Sequence, residues 1–423
     1  MKHNDKTLSL RNRSGFSLVE LLVYMAILFV LMALVMTSFI QTQQRTAQQS
    51  RIAETQIETG VGLGLLRADL ENAGFGLPWA FSPDPALAPR PYIEPGPLAS
   101  APNVPSALDS QNGTGLSGSD HLVIRAANVV SGAGGQGWGT LGNDNVPNLV
   151  VQPAGKGTQA LLGTDRVIAL RTINSNSDDQ TVEFRSLAIN DLAPDGANNY
   201  TFQPNPLVTT DNGSAYPLQS KPAAWASIQP DPVSVDSGGF GGEKLLLYGI
   251  AGAGAINRPF NRADYFIVNT NVPSHCAPGT GVLVKAPLGQ ADVAFLPASY
   301  QPVADCVADF QVVYHLDKNG DGKITPEDAG KLPAAGADQA AQIRAQVREV
   351  RCYILLHEGG EDKSYTHPSP NIDVGEVDAN GAFLAGRQQF ALNNLNPTDA
   401  DATWAHYRWK VVSVAVTPKN LRQ

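Results

Sequence analysis

The feature that most constrains this chain is an uncharged apolar segment at residues 21–40, which directly follows the acidic residue Glu20. A helix of about 20 residues is about 30 Å long, which matches the hydrocarbon thickness of a bilayer. The segment therefore predicts a single membrane-spanning helix close to the N-terminus. A carboxylate at the edge of such a span is costly, so Glu20 requires a functional reason.

The residues that precede this segment differ from those of a cleavable secretory signal. Such a signal has a small-residue cleavage site after its apolar core, and no such site follows the core here. Instead, a Gly15-Phe16 junction stands before the core, at the end of a short basic leader. The positive charge of the leader predicts that it stays in the cytoplasm and that the remaining chain lies on the opposite side of the membrane.

Gly15, Phe16 and Glu20, together with the apolar segment, resemble the N-terminal signal of type IV prepilins and pseudopilins. The resemblance implies cleavage after Gly15 by prepilin peptidase and methylation of the new amino terminus at Phe16. It also implies that the Glu20 carboxylate pairs with the Phe16 ammonium of a neighbouring subunit, because opposite charges in hydrocarbon gain by pairing. The alternative is that the Glu20 side chain simply reaches the membrane–water interface.

The rest of the chain predicts an α+β fold. Beyond the apolar segment, apolar residues continue at helical spacing, so this part of the helix can dock on a globular domain. Gly60, Gly62 and Gly64 weaken it and suggest a bend or a locally melted turn. One later helix is expected at 334–345. Turn signals separate short β-like runs, which are expected at 121–125, 166–170, 181–184, 244–248, 264–268, 281–284, 307–314, 347–356 and 407–416.

This order of elements resembles the type IV pilin fold, in which a long N-terminal helix packs by its second half on an antiparallel sheet. The predicted organisation is a leader at 1–15, a transmembrane and assembly helix at 16–75, and a β-rich periplasmic or extracellular domain at 76–423. Residues 80–240 are expected to be a large, variable insertion. Residues 79–118 are rich in Pro, Ala and Ser and are predicted to be loop-like.

The chain has three cysteines, Cys276, Cys306 and Cys352. In an oxidising compartment two of them are expected to pair. Cys276 and Cys306 lie at the edges of two predicted strands, which favours a disulfide between them, whereas Cys352 is predicted to be a buried thiol within a strand. No C-x-x-C spacing is present, which argues against zinc. The segments around these cysteines also resemble, more loosely, PilW-type minor pilins.

Residues 317–328 fit the pattern of a calcium-binding loop. Gly322 falls at loop position 6, where the sharp turn needs glycine. The ligands that the pattern predicts are Asp317, Asn319, Asp321, the backbone carbonyl of Lys323, Thr325 and Asp328. Asp328 stands where glutamate is usual, so its shorter side chain is expected to weaken affinity. A structural role for Ca²⁺ is expected, and the alternative is an Asx-rich turn without metal.

Composition and motifs argue against two other classes of function. The net charge of −9, without any cluster of Lys and Arg among aromatic residues, argues against direct binding of nucleic acid. The G-x-G-x-x-G at Gly132, Gly134 and Gly137 is followed by no helical pattern, and His357-Glu358 lacks the second histidine of a zinc protease motif. The chain is therefore not expected to be an enzyme.

The function implied by the resemblance is that of a PilW-like minor pilin of a type IV pilus. Such a protein is a single-pass inner-membrane protein until it joins other minor and major pilins in the pilus at the cell surface. A globular part of about 350 residues is bulky for a repeating shaft, which favours a priming complex at the pilus tip. The alternatives are a pseudopilin of type II secretion and a tip adhesin that binds a surface or glycan through residues 80–240.

Overall fold

The computed structural model describes residues 17–77, 79–81, 94, 104–130, 137–142, 150–153, 166–174, 182–187, 244–250, 258, 260–290, 294–318, 320, 325–328, 332–333, 336, 338–377, 383–399 and 401–421. The chain divides into two compact units, Met1–Glu54 and Thr55–Gln423. The fold is α+β, with an N-terminal apolar helix and mostly antiparallel sheets, as the sequence predicts.

Helix α1 spans Leu18–Glu71 and so belongs to both units. The carbonyl of Ser17 accepts the N–H of Leu21 at 3.0 Å, which closes the first turn. The helix ends in turns that contain Gly74 and Gly76, both at positive φ. Glycine adopts this conformation without a steric penalty, which explains the predicted stop at this point. The second helix, α2, spans Gln339–Gln346, so it begins later than the helix expected at 334–345 and ends one residue beyond it.

Sixteen strands occur among the described residues. They are β1 (Ala80–Phe81), β2 (Leu108–Gln111), β3 (His121–Ala126), β4 (Trp138–Gly142), β5 (Val150–Pro153), β6 (Arg166–Asn174), β7 (Val182–Leu187), β8 (Lys244–Ile250), β9 (Asn261–Val268), β10 (Gly281–Leu288), β11 (Gln301–Leu316), β12 (Thr325–Asp328), β13 (Val347–Glu358), β14 (Asn371–Val377), β15 (Phe383–Ala391) and β16 (Arg408–Val416). Each of the nine predicted runs overlaps one of these strands.

The strands form two sheets and a hairpin. The larger sheet has the order β16-β13-β11-β10-β9-β3-β2, is antiparallel throughout, and carries β12 on β11. The smaller sheet has the order β1-β7-β6-β8-β4-β5, in which only β1 and β7 run parallel. Strands β14 and β15 form a separate hairpin. The range 80–240 therefore supplies strands to both sheets, and β1 and β2 correct the expectation of a loop at 79–118.

The larger sheet is buried on both faces in its centre. On β13, Val350, Cys352 and Ile354 lie in one apolar cluster, whereas Tyr353 and Leu355 lie in another. This alternation follows from the two-residue period of a strand and explains why β13 is an almost continuous apolar run. The first cluster includes residues of the second half of α1, and the second includes residues of the β14–β15 hairpin.

Gly62 has a packing role that the sequence did not reveal. Residues 60–64 are helical, so the expected locally melted turn does not form. Gly62 is buried against the first residues of β11, and a Cβ added to it would lie 1.8 Å from the carbonyl oxygen of Val303. A Cβ at Gly60 or Gly64 would meet nothing within 4 Å. Gly62 thus permits a close approach of helix and sheet, whereas its two neighbours only lower helix propensity.

This difference predicts opposite effects for two chemically identical substitutions. Gly60→Ala should raise the free energy of unfolding by up to about 1 kcal/mol, because alanine is the better helix former and the site is open. Gly62→Ala should lower it by about 1–3 kcal/mol, because backbone must shift to relieve the overlap. Urea unfolding of the detergent-solubilised chain measures both, and an equal gain from the two variants would contradict the packing role.

Candidate functional site

The first part of α1 is long and apolar enough to cross a membrane. Leu18–Ile40 comprises 23 residues with a mean hydropathy of 2.8, and none of this stretch is buried inside the protein. Its large apolar side chains, such as Phe29 at 64 % exposure, form a continuous surface. Water-soluble surfaces rarely carry apolar patches of this extent, so this surface is suited to contact with lipid or with other apolar helices.

Glu20 is the only charged residue of this stretch, and it lies in the first turn of α1. A carboxylate there interacts favourably with the positive end of the helix dipole, which offsets a small part of the cost of its position. Gly15 and Phe16, the predicted processing residues, lie outside the described residues.

Comparison with protein families matches residues 10–36 to the prokaryotic N-terminal methylation motif. The chain carries a prepilin-type N-terminus. The motif and the apolar helix support a pilin or pseudopilin that prepilin peptidase processes and that assembles with other pilins. They are consistent with a single-pass inner-membrane anchor before assembly. Neither the comparison with curated proteins nor that with solved structures found a match.

The second half of this prepilin-type helix is fixed to the larger sheet by a buried ionic contact. The Tyr265 hydroxyl donates to Oδ2 of Asp69 at 2.6 Å, and Nζ of Lys285 lies 2.6 Å from the same oxygen. Tyr265 on β9 and Lys285 on β10 are directly opposite in the antiparallel register. Burial raises the pKa of the Asp69 carboxyl, and the charge of Lys285 and the two hydrogen bonds oppose that shift.

The part of α1 that packs on the larger sheet is also held by polar contacts at both of its ends, near Gln56 and at Glu71. Near its start, Gln56 donates to Oε1 of Glu358 at 3.0 Å. At its end, the backbone N–H of Lys419 donates to the carbonyl of Glu71 at 3.0 Å, and the Lys419 ammonium donates to the Glu71 carboxylate. The last turn of α1 is therefore tied to the C-terminal segment as well as to the sheet.

A second group of buried charges joins β3 and β9. Arg125 donates to both carboxylate oxygens of Glu94 at 2.7 Å, and Arg262 donates to both oxygens of Asp264 at 2.7 and 2.8 Å. His121 contacts Asp264 at 2.6 Å. Burial pushes the pKa of Asp264 upward, but Arg262 and His121 outweigh it and leave the pKa lowered. These charges are mutually paired, which is the arrangement of a structural network.

His357 is a core residue. Its Nε2 accepts the N–H of Ala277 at 2.8 Å, and its ring lies against those of Tyr407 and Trp409, with centroids 4.5 and 5.1 Å away. Burial lowers its pKa to about 3, so the ring is neutral at physiological pH. It thereby holds the segment next to Cys276, and no ligand role is needed to explain it.

The structure joins Cys276 and Cys306, the pair that the sequence predicts, in a disulfide. Their sulfurs and His275 form the group among the described residues whose ligand atoms lie close enough to hold a metal, but disulfide sulfurs are not thiolate ligands. Cys352 is a free thiol at the centre of β13, and burial raises its pKa. A buried thiol of this kind is unreactive.

The predicted calcium loop connects β11 to β12. Asn319, Asp321, Gly322 and Lys323 lie outside the described residues, as do the side chains of Thr325 and Asp328. Asp317 is buried; its N–H donates to the carbonyl of Gln346 at 2.8 Å and its Oδ2 lies 3.3 Å from Arg348.

The backbone pairing of β12 bears on Asp328, which the sequence places at position 12 of the calcium loop. Thr325 pairs with Leu316 and Asp328 pairs with Val313, so β12 leads away from the loop. Three residues of strand extend about 10 Å, which separates the backbone of Asp328 from that of Thr325 by that distance.

The Asp69 contact predicts the effect of removing its partner. Lys285→Met keeps the length of the side chain but leaves a buried carboxylate without its counter-charge, and such a change costs about 3–5 kcal/mol. Lys285→Met combined with Asp69→Leu should recover much of that loss, because the uncompensated charge is gone. Urea unfolding of the two variants tests this, and a double variant no more stable than Lys285→Met alone would contradict it.

Proposed function

We propose that this chain is a PilW-like minor pilin of a type IV pilus that acts in a priming complex at the pilus tip. The observation that carries the proposal is the N-terminal methylation motif at residues 10–36, followed directly by an exposed apolar helix. The proposal includes the pilin arrangement, in which the second half of the helix docks on an antiparallel sheet. The two-sheet domain favours a minor over a major pilin, because a bulky domain is difficult to repeat along a shaft.

The two halves of α1 perform different tasks in this proposal. Leu18–Ile40 lies in the lipid before assembly and against the apolar helices of other subunits afterwards, so the same apolar surface stays covered throughout. The half that includes Asp69 stays fixed to its own sheet by Lys285 and Tyr265. A load on the helix is thereby transmitted to the domain.

Glu20 supplies the register between subunits in this proposal. A carboxylate in an apolar environment needs a counter-charge, and processing after Gly15 creates one at the amino group of Phe16. Pairing across subunits fixes the axial position of each helix relative to the helix of the neighbouring subunit. Catalysis is not part of the proposed role. Several described groups have shifted pKa values, and His357 and Asp264 are two of them that serve as structural contacts.

The proposal predicts separate effects at the processing and assembly residues. Glu20→Gln preserves shape and removes the charge, so the chain should still insert and be cleaved but enter pili at least about tenfold less. Gly15→Val should block cleavage, because the peptidase site must accommodate the added side chain. Mass spectrometry of the membrane fraction detects a methylated Phe16, and immunoblots of sheared pili measure incorporation.

Two outcomes would contradict the proposal. An unprocessed Met1 terminus in cells with active peptidase would exclude the prepilin assignment altogether. Normal incorporation of Glu20→Gln would exclude the pairing role. If both variants impair protein secretion and leave piliation unchanged, the chain is a type II secretion pseudopilin, which the same motif supports equally well.

We also propose that residues 317–325 bind Ca²⁺ with a structural role. Among the described residues, Oδ1 of the buried Asp317 has no hydrogen-bond partner, and a cation at this point would satisfy it. Gly320 has a φ of 71°, as a tight loop requires. The position of Asp328 in β12 leaves it a minor contributor, so the predicted ligand set reduces to the residues before it.

This proposal predicts a calcium-dependent stability. Calcium at about 100 times its Kd should add about 2.7 kcal/mol to the free energy of unfolding, and chelation should reverse the gain. Asp317→Asn with Asp321→Asn should abolish the shift, whereas Asp328→Asn should retain most of it. Calorimetry with and without millimolar calcium measures this, and the absence of any shift in the unmodified chain would identify the loop as a turn without metal.

A further inference from the structure

The strand β16 ends the larger sheet with a long, regular edge. All nine of its residues pair with β13 without a bulge, and no strand in the described part of the chain pairs with its other side. In an antiparallel strand, alternate residues direct their N–H and C=O groups away from the existing partner. About half of the residues of β16 therefore present unpaired backbone donors and acceptors.

This edge lacks the features that natural proteins use to prevent strand addition. Such features are charges, proline, bulges and short length. The only charged residues of β16, Arg408 and Lys410, lie at its beginning and pair with Asp362 and Glu358 of the same chain. Residues 411–416 contain no charge, proline or glycine. The opposite edge of the sheet, β2, is only four residues long.

The side chains of β16 are suited to extend both apolar layers of the sheet. Val412 packs on the cluster that includes α1, and Val411 packs on the cluster that includes the β14–β15 hairpin. Both are only partly buried, and the adjacent Ser413 and Ala415 are exposed. An additional strand would cover Val411 and Val412 while it satisfies the free backbone groups.

We propose that β16 pairs with β16 of a second copy of this chain, antiparallel and centred on Val412. In that register Trp409 opposes Ala415 of the other copy, a large residue against a small one, and Val411 opposes Ser413. In this register nine residues of each copy pair without a gap. The result is a continuous sheet across a two-fold axis, whose interface is self-complementary.

Charge does not oppose a second copy in this arrangement. The cationic ends of the two strands lie at opposite ends of the interface. Successive residues advance about 3.4 Å, so the two Lys410 residues are about 14 Å apart and the two Arg408 residues about 27 Å apart along the strands. Both separations exceed the screening length of about 8 Å at physiological ionic strength. No like charges face each other.

The register gives a direct test by cross-linking of the full chain in detergent. In Val412→Cys the two new thiols would face each other with Cα atoms about 5 Å apart, within the range of a disulfide. In the matched control Ala415→Cys, the thiols would be about 20 Å apart along the strands. The native cysteines do not interfere, because two are bonded and Cys352 is buried. Mild oxidation should give a reducible dimer for Val412→Cys alone.

A second pair of variants separates this interface from association through the apolar helices. Ser413→Lys adds a charge at an exposed position of the edge, and Ser413→Thr changes the same position without adding a charge. Sedimentation should show at least tenfold weaker dimerisation for Ser413→Lys and none of this loss for Ser413→Thr. A monomeric unmodified chain at tens of micromolar, equal cross-linking of the two cysteine variants, or a dimer unaffected by Ser413→Lys would each overturn the proposal.

Discussion

The contact of Asp69 with Lys285 and Tyr265 is the interaction that fixes the position of helix α1 on the larger sheet. An apolar face alone would hold α1 on the sheet but would tolerate a slip along its axis. A slip by one helical turn would leave Asp69 buried without a counter-charge, and that costs several kcal/mol. Gly62 adds a steric condition, because a residue with a Cβ cannot take its place beside Val303. The contact and the glycine together define one position of the helix.

Helix α1 contains two carboxylates in apolar surroundings, Glu20 and Asp69. They differ in whether the same chain supplies a counter-charge, and this difference separates the two halves of the helix. Asp69 finds its counter-charge within the same chain. Glu20 has no ion-pair partner among the described residues, although it adjoins an apolar stretch of membrane length. An unpaired carboxylate at such a place gains most from a partner supplied by another molecule. One half of the helix is thus completed by its own domain, whereas the other half is suited to completion by assembly, which is consistent with the prepilin-type N-terminus.

The sequence predicted those elements whose local pattern and tertiary environment agree. Helix α1 and strands such as β13 carry long apolar patterns, because burial on one or two faces imposes them. It did not predict β2, whose residues Leu-Asp-Ser-Gln have little strand propensity and pair only because β3 offers an edge. The β14–β15 hairpin was also missed, since both strands contain glycine and polar residues.

The candidate sites also divide into those that the sequence could identify and those that it could not. The prepilin-type N-terminus and the cysteine pair could be identified because their signal lies in residue type and spacing. The charge network of Arg125, Arg262 and Asp264 could not, because each residue alone looks like an ordinary surface charge. Asp69 is the one of these buried charges that the sequence could have indicated. It follows Leu66 by three residues and precedes Leu70, so it lies within the apolar stripe of the helix. A carboxylate at such a position indicates a buried cationic partner.

Among the described residues, the chain that follows β16 does not pair with its outer edge. A C-terminal tail could fold back on β16 and cover it, as happens at many sheet edges. Here the tail leaves the strand and crosses the end of α1, where Lys419 bonds to Glu71 and Leu421 is buried in the cluster that contains Leu70. No described strand pairs with the outer side of β16, whose uncharged, regular second half is suited to another strand.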